Sequence, residues 1–284
     1  MGRGPLARKD TRVGSLVLGP DPALMGILNV TPDSFSDGGE FLDPDEAVAQ
    51  AASLLDEGAQ IVDVGGESTR PGSDPVSPEE ELRRVVPVVR GILAVRPEAA
   101  VSIDTYRAST AEAALDAGAR VVNDVTALSD PKMAGLVAER DCPVVLMHMR
   151  GEPKSMQQDP VYEDVVREVR DFLAYRVERA VQAGVGEGNI ILDPGICFGK
   201  TLKHNLMLLN RLDALVELGF PVLVGASRKS FLGKISGSDT PKERLFDTVA
   251  ANVLAYERGA TLFRVHDVQA NKGALAVAAA IRRA

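Results

Sequence analysis

Short apolar runs recur along the chain and alternate with amphipathic stretches rich in Ala, Leu, Val, Glu and Arg. The runs have the length of buried strands, and stretches such as 45–59 and 78–96 have helical spacing. The first of these stretches carries an Asp near its start and a Gly near its end, as helix caps require. Regular alternation of this kind predicts a parallel sheet covered by helices. The strand candidates are LMGILNV (24–30), QIVDVGG (60–66), AVSIDT (100–105), RVVNDVT (120–126), CPVVLMHM (142–149), NIILDPG (189–195), PVLVGAS (221–227) and TLFRVHD (261–267).

The order of these elements predicts an α/β fold, a (β/α)₈ TIM barrel, because eight β-then-α units follow one another in a chain of suitable length. A doubly wound sheet is the alternative, but no topological break divides the eight units. The segment RVGSLVLGP (12–20) predicts a small hairpin before the barrel. We therefore expect an N-terminal extension over 1–20 and one barrel domain over 21–284.

The composition of the chain argues against nucleic-acid binding, membrane insertion and a disulfide framework. The 284 residues carry a net charge of −8, which argues against a nucleic-acid partner because phosphate backbones need a basic surface. No apolar run approaches membrane-spanning length, and the basic start MGRGPLARKDTR has no apolar segment after it. Cys142 and Cys197 are the only cysteines, so a disulfide framework is not expected. These features predict a cytoplasmic protein without a membrane partner.

Polar side chains stand at the carboxyl ends of all eight predicted strands, which meet at the catalytic face of a barrel. A single Asp or Asn after a strand commonly caps the next helix. Eight polar ends are much harder to explain as caps, so the set predicts a site. Its members are Asn29, Asp63, 67–70, Asp104, Asn123, Asp124, Met147, His148, Asp193, 227–230, Arg264, His266 and Asp267.

Part of this set suits a flat heterocycle. Asp104, Asn123 and Asp193 lie on three different strands. A carboxylate matches adjacent N–H and NH₂ donors, as in guanine or pterin, and an amide can read a ring edge that carries both group types. Lys229 could contact a ring carbonyl, or it could belong to a basic surface turn, SRKS.

Another part suits an anion. Arg70, Arg264, His266 and Asn29 converge on one mouth in the predicted barrel, and guanidinium groups match phosphate oxygens in a fork. The chain has no GxxxxGK[ST] loop, which argues against a P-loop nucleotide site. It also has no HExxH motif and no paired-Cys spacing, so a zinc site has little support.

The polar stretch NVTPDSFSDGG (29–39) follows the first predicted strand and places Phe35 among turn-forming residues. It is either a plain connection between a strand and a helix or a moving loop over an active site. The composition of the stretch alone leaves both open.

Seven segments together closely resemble bacterial dihydropteroate synthase, from about Leu24 to the C terminus. The first two are long and specific, and the others are shorter but stand in the same order and barrel positions. Cys197 departs from the family, which often has a Gly there. The segments are GILNVTPDSFSDGG, DVGGESTRPG, SIDTY, VVNDVT, ILDPGICFGK, GASRKSFLG and RVHDV.

The resemblance implies condensation of 6-hydroxymethyl-7,8-dihydropterin diphosphate with 4-aminobenzoate, to give 7,8-dihydropteroate and diphosphate. It also implies Mg²⁺ as cofactor, with Asn29 as the residue linked to the metal, and a homodimer. The apolar last helix, ANKGALAVAAAIRRA (270–284), is one candidate interface. In this interpretation the loop at Phe35 and Asp37 covers the second substrate and excludes water.

The resemblance assigns the remaining residues to two substrates. Asp104, Asn123, Asp193 and Lys229 would bind the pterin edge, with Met147 and Arg264 on its faces. Arg264, His266 and Arg70 would lie near the diphosphate. Thr69, Pro71, Phe198, Ser230 and the Phe35 loop would form the aminobenzoate side.

Two other functions compete with this one. A methyltetrahydrofolate:corrinoid methyltransferase would share the Asp and Asn ligands but has no use for a diphosphate cluster. A catalytically silent paralogue that binds pterin diphosphate, or a partner protein, is expected to have lost the first loop or the RVHDV segment. Both segments are intact.

Overall fold

The computed structural model describes residues 9–31, 43–68, 73–152 and 154–284. Strands and helices alternate along these residues. The strands are β1 (Thr11–Val13), β2 (Leu16–Leu18), β3 (Ala23–Asn29), β4 (Ile61–Gly65), β5 (Ala100–Asp104), β6 (Val121–Asp124), β7 (Val144–Met147), β8 (Ile190–Asp193), β9 (Leu223–Val224) and β10 (Leu262–Val265). The helices are α1 (Pro44–Glu57), α2 (Pro78–Val95), α3 (Ala108–Asp116), α4 (Met133–Arg140), α5 (Val165–Gln182), α6 (Leu202–Asn210), α7 (Asp213–Val216), α8 (Ser230–Ser236), α9 (Leu245–Glu257) and α10 (Val268–Arg283).

Strands β3 to β10 form one parallel sheet in the order β8-β7-β6-β5-β4-β3-β10-β9. A parallel bridge between Leu192 and Val222 joins the two ends of this order, and Leu192 N donates to Pro221 O at 2.9 Å. The sheet therefore closes into a ring with helices outside it. The predicted (β/α)₈ barrel is confirmed, and the doubly wound alternative is wrong.

The strand after α7 is shorter than the sequence predicts. The apolar run predicts a strand over 221–227, but only β9 pairs in the ladder. Val222 already bridges to β8, and beyond Val224 the chain bends into a turn in which Lys229 N donates to Ala226 O at 3.2 Å. The early end of β9 lets the polar segment that follows line the mouth.

Residues of the strands alternate between two cores. Outward-facing residues such as Val62 and Val64 pack against the helices, whereas Met25, Ile61 and Val145 fill the inside of the barrel. The predicted hairpin forms as β1 paired with β2, and its Val13 and Leu18 join the inner core. The division of the chain at residue 20 stays a prediction.

The local sequence explains where α1 begins and ends. Asp43 accepts a hydrogen bond from Asp45 N through its side chain, and Pro44 fits the first helical turn. Gly58 ends the helix with a φ of 108°, a conformation that favours glycine. The expected cap at Gly58 is confirmed, whereas the Asp of the predicted stretch, Asp45, lies in the first turn and donates to the N-cap residue Asp43. Within the described ranges, no helix has the length and apolar character needed to cross a membrane.

Candidate active site

Four strands bring a charged cluster together inside the mouth of the barrel. Arg264, on β10, donates through Nε to Asp63 Oδ2 at 2.6 Å and through Nη2 to Asp104 Oδ2 at 2.8 Å. Asn123 Nδ2, from β6, donates to the same Asp63 oxygen at 2.9 Å. The two aspartates stand on β4 and β5. The polar strand ends thus meet in space as the sequence analysis expects.

Burial sets the electrostatics of this cluster. It raises the pKa of Asp104 to about 7, although the positive charge of Arg264 opposes the rise. Burial is the largest single influence on Arg264 and lowers its pKa. The negative charges of Asp63 and Asp104 together outweigh burial, so the pKa lies above its ordinary value. Asp63 Oδ1 is buried without a hydrogen-bond partner in the described part of the chain. The cluster therefore holds one carboxylate oxygen, Asp63 Oδ1, that lacks a hydrogen-bond donor among the described residues.

A second pair of charged groups lies at the ends of β8 and β9. Asp193, buried, accepts a hydrogen bond from Gly195 N at 2.6 Å. Burial raises the pKa of its carboxyl, and the charge of Lys229 opposes this rise most strongly. Lys229 donates to Ile196 O, and its Nζ lies 4.7 Å from the centre of the Phe198 ring. Lys229 is half-buried at this mouth and donates inward to Ile196 O, which favours a place in the site over a basic surface turn.

The loops that follow β7 and β8 lie in direct contact. Gly195 and Gly199 have φ values of 66° and 65°, and a Cβ atom at these positions would overlap the carbonyl oxygens of His148 and Arg150. The side chain of buried Met147 lies 3.3 Å from the place of that Cβ at Gly195. Only glycine permits this approach, which holds Met147 beside the segment that carries Phe198.

The buried side chain of Lys200 links the same two loops through hydrogen bonds. Its Nζ lies 2.9 Å from His148 Nδ1 and donates to Phe198 O at 3.0 Å and to His148 O at 3.3 Å. Burial lowers the pKa of Lys200 to about 7. Burial, followed by the charge of Lys200, lowers the pKa of His148 to about 3. His148 is therefore a neutral acceptor, and the edge of its ring meets Phe172 at 4.9 Å between centroids.

Replacing Lys200 by Met is expected to change how stability depends on pH. In the folded wild type the pKa of Lys200 is about 7, and its ordinary value is 10.5, so the unfolded chain binds more protons between these limits. The free energy of unfolding of the wild type should therefore rise with pH relative to Lys200→Met, by about 1 kcal/mol per pH unit. Urea unfolding at several pH values measures this difference. The exposed Lys203→Met controls for loss of a lysine, and a difference independent of pH would contradict the expectation.

His266 is held by the segment that follows β9. Ser227 Oγ accepts a hydrogen bond from His266 N at 3.1 Å and lies 2.9 Å from His266 Nδ1. Next to this pair, Arg228 binds Asp267 through Nε and Nη2 at 2.9 and 2.5 Å. Arg228 adopts a φ of 57°, which is uncommon for a residue with a side chain. These contacts hold the backbone N–H of His266 and the side chain of the next residue, Asp267.

Asp124 belongs to the polar strand ends, but its contacts are local. Its Oδ1 accepts from Thr126 N and Thr126 Oγ1, both at 2.8 Å, and its Oδ2 accepts from Leu128 N at 2.8 Å. These bonds stabilise a turn in which Leu128 has a φ of 64°. Asp124 therefore stabilises its own turn and does not cap the next helix, α4, whose N-cap residue is Lys132. Its local contacts favour a structural role, and its membership in the site stays a prediction.

The other predicted site residues lie around the same mouth or outside the described residues. Asn29 ends β3 and is half-buried, and Ser230 begins α8 and is exposed. Cys197 is half-buried, and its N–H donates to Asn205 Oδ1 at 2.7 Å. The predictions that fall outside the described residues concern Phe35, Asp37, Thr69, Arg70 and Pro71.

Asp63 and Ser227 belong to the predicted set of polar strand ends but receive no specific role from the sequence, and Lys200 is not a member of that set. A signal existed for Asp63, because strand alternation puts it on the same inward face as Ile61. Lys200 and Ser227 make contacts between loops of different β/α units, and hydrophobic periodicity does not predict such contacts.

The mouth of the barrel offers a metal ion oxygen donors, among them the side chain of Asn29 at the end of β3. Among the described residues, no group of three or more His, Cys, Asp or Glu side chains has an arrangement that could hold a metal ion. Mg²⁺ usually keeps several waters and binds one or two protein oxygens together with substrate phosphates. The amide oxygen of Asn29 at the carboxyl end of β3 fits a metal of this kind, which needs no closed protein cage.

Curated relatives are similar to this chain over nearly its whole length. A dihydropteroate synthase of Streptococcus pyogenes is 47% identical over 268 residues, 94% of this chain and 98% of that protein. A probable bifunctional folylpolyglutamate synthase/dihydropteroate synthase of Haloferax volcanii is 49% identical over 260 residues. That match covers 92% of this chain but 30% of the longer relative.

Solved structures share the fold. Dihydropteroate synthase of Xanthomonas albilineans with 4-aminobenzoic acid is 46% identical, with a TM-score of 0.89, over 95% of this chain and 96% of that chain. The same organism's enzyme in complex with 7,8-dihydropteroate is 43% identical, with a TM-score of 0.88, over 97% and 99% of the two chains. The model of the family described as pterin binding enzyme matches residues 25–266, which run from β3 past the end of β10 and include Asp63, Asp104, Asn123 and Arg264 of the charged cluster. The chain belongs to the pterin-binding enzyme family.

Proposed function

We infer that the chain is a dihydropteroate synthase, which condenses 6-hydroxymethyl-7,8-dihydropterin diphosphate with 4-aminobenzoate in folate biosynthesis. The observation that carries this function is the pairing of Arg264 with both Asp63 and Asp104 at the barrel mouth. This arrangement offers carboxylates for a pterin edge beside a guanidinium for an anion. The curated relatives and the solved structures with 4-aminobenzoic acid and with 7,8-dihydropteroate support the same reaction.

We assign the pterin edge to Asp104, Asn123, Asp193 and Lys229. The buried carboxyl of Asp193 would accept from adjacent N–H and NH₂ donors of the ring, in a two-pronged charge-assisted contact. Lys229, whose pKa burial lowers, would donate to a ring carbonyl or nitrogen. Met147 supplies an apolar surface for one face of the ring.

We assign the diphosphate to Arg264 and His266, with Asn29 as the protein ligand of Mg²⁺. Arg264 already donates to Asp63 and Asp104, so its guanidinium has fixed orientation before a substrate binds. Bound Mg²⁺ would supply positive charge to the diphosphate oxygens. Arg70, outside the described residues, is proposed for the same anion on the resemblance alone.

The reaction breaks the C–O bond between the pterin methylene and the diphosphate. The electron pair leaves with the diphosphate, where Arg264 and His266 would stabilise the developing negative charge. The positive charge left on the methylene is delocalised into the dihydropterin ring, beside the Asp104 and Asp193 carboxyls. The amine of 4-aminobenzoate then forms the C–N bond and releases one proton. A positioned arylamine needs little activation, which accounts for the lack of an assigned general base.

We assign the aminobenzoate side to Phe198 and Ser230, with Thr69 and Pro71. Phe198 lies under the Lys229 ammonium, so its ring borders the pterin end of the site. Ser230 is exposed at the start of α8, where its hydroxyl can donate to a carboxylate. Phe35 and Asp37 are proposed to exclude water from the cation, and this proposal rests on the resemblance.

The test is formation of dihydropteroate from the two substrates by the purified chain. We expect product with Mg²⁺, little product after chelation by EDTA, and recovery when Mg²⁺ is restored. Omission of 4-aminobenzoate is the blank. Calorimetric binding of the pterin diphosphate without any product would favour the silent paralogue. If the chain neither forms dihydropteroate nor binds the pterin diphosphate, the proposed function is contradicted.

We also propose that the chain forms a homodimer in the cytoplasm. Val277 and Ile281 on α10 and Phe246 on α9 are exposed by 61%, 71% and 80%, which supports an interface on this side of the barrel. Cys142 and Cys197 are both free thiols, as a reduced compartment favours. Light scattering should give twice the chain mass of 30.2 kDa. A mass of one chain at micromolar concentration would contradict the dimer.

A further inference from the structure

We propose that Ser227 is a positioning residue that holds His266 in the neutral tautomer protonated at Nε2. This tautomer offers an uncharged N–H donor from a ring whose other nitrogen is engaged. Its effect on catalysis rests on the proposed role of His266 at the diphosphate. The tautomer itself is a property of the ligand-free chain.

The contact that carries this inference joins the ends of two neighbouring barrel strands. Ser227 is buried, with 6% of its surface exposed, in the segment that follows β9. His266 follows β10, the next strand of the ring. Ser227 Oγ lies 3.1 Å from His266 N and 2.9 Å from His266 Nδ1, so one hydroxyl contacts the same residue twice.

Proton counting decides the direction of the two hydrogen bonds. The backbone N–H of His266 can only donate, so Ser227 Oγ accepts that bond. The hydroxyl keeps one proton, which needs an acceptor because Ser227 is buried. His266 Nδ1 is the acceptor at hydrogen-bonding distance. A proton on Nδ1 would instead donate to the second lone pair of Ser227 Oγ, and the buried hydroxyl proton would then have no acceptor within hydrogen-bonding distance among the described residues. The neutral ring therefore carries its proton on Nε2.

The surroundings hold this geometry in place. Arg228, next to Ser227, binds both carboxylate oxygens of Asp267, next to His266. Arg244 Nη1 donates to Arg228 O at 3.0 Å, and Arg228 N donates to Thr248 Oγ1 at 3.0 Å. Both residues of the pair are therefore fixed by their neighbours, and the imidazole needs little reorganisation to donate to an anionic oxygen.

The chain offers a clean measurement because it has three histidines. Two-bond ¹H–¹⁵N spectra of ¹⁵N-histidine-labelled protein, at about pH 8.5 where an ordinary imidazole is neutral, report the tautomer of each ring. We expect His266 as the Nε2–H form in the wild type and a mixture of both forms in Ser227→Ala. His266→Gln assigns the signal. His148 and His204 serve as internal standards, since their Nδ1 atoms contact Lys200 Nζ and Thr201 N.

A matched control removes the hydroxyl group that contacts a different histidine, His204. Thr201 Oγ1 accepts from His204 N at 3.2 Å, as Ser227 Oγ does from His266 N. Thr201→Val should leave the His266 spectrum unchanged. A wild type with the proton on Nδ1 of His266, or a Ser227→Ala spectrum that keeps the pure Nε2–H form, would overturn the inference.

Kinetics test the consequence for the reaction. Ser227→Ala should lower kcat/KM for the pterin diphosphate about tenfold, the effect expected when one orienting hydrogen bond is lost. KM for 4-aminobenzoate should stay within about twofold, and Ser227→Thr, which keeps the hydroxyl, should restore the Nε2–H spectrum and most of the activity. If the wild type forms no dihydropteroate but shows the Nε2–H form, the proposed function fails and the assignment of Ser227 stands.

Discussion

Asp193→Asn is expected to lower kcat/KM for the pterin diphosphate about a thousandfold, because two charge-assisted hydrogen bonds of about 1.5–3 kcal/mol each lose their charge. The asparagine keeps an oxygen that can accept from Gly195 N, where Asp193 Oδ1 accepts at 2.6 Å. The turn after β8 should therefore remain folded. Product formation under saturating 4-aminobenzoate and calorimetric binding of the pterin diphosphate measure the effect.

The control for this prediction is Asp124→Asn. Asp124 is a second buried aspartate at the end of a barrel strand, but its bonds go to Thr126 and Leu128 in its own loop. This variant should unfold at lower urea concentration and keep its KM for the pterin diphosphate. Equal losses of kcat/KM in the two variants would mean that Asp193 acts as a structural cap and does not bind the pterin edge.

The contrast between Asp193 and Asp124 shows how much of the candidate site can be predicted from the sequence. The strand periodicity places both residues at the carboxyl edge of the barrel, and this placement is confirmed. Thr126 and Leu128 follow β6, and only the turn that they form with Asp124 shows that both donate to its carboxylate. Sequence therefore predicts which residues stand at the mouth, while the direction of each side chain decides which of them belong to the site.

The parts that the sequence did not predict depend on contacts between loops. Lys200 lies in a glycine-containing loop after β8, and its Nζ contacts His148 in the loop after β7. The local sequence does not predict this contact. The end of β9 at Val224 is of the same kind, because an apolar run continues while the chain has already turned toward the mouth. Both features are set by tertiary packing, which local periodicity does not encode.

Arg264→Met is expected to lower the free energy of unfolding by about 3–5 kcal/mol, because it leaves the buried carboxylate of Asp63 without its cation. Asp63 is fully buried and accepts from Arg264 Nε at 2.6 Å, and its Oδ1 already has no partner in the described part of the chain. Activity should fall below detection for the same variant, since Arg264 is assigned to the diphosphate. Urea unfolding and the dihydropteroate assay measure the two effects.

A double-mutant cycle with Asp63→Asn separates stability from catalysis. The neutral amide in Asp63→Asn removes the unpaired charge, and its oxygen can still accept from Asn123 Nδ2, which donates to Asp63 at 2.9 Å. The double variant should therefore recover at least about 1–2 kcal/mol of the loss caused by Arg264→Met. It should stay inactive, because no guanidinium faces the departing diphosphate. If the double variant is no more stable than Arg264→Met, the pair is not a buried electrostatic unit. If it regains activity, Arg264 acts only as the counter-ion of Asp63, and its assignment to the diphosphate is wrong.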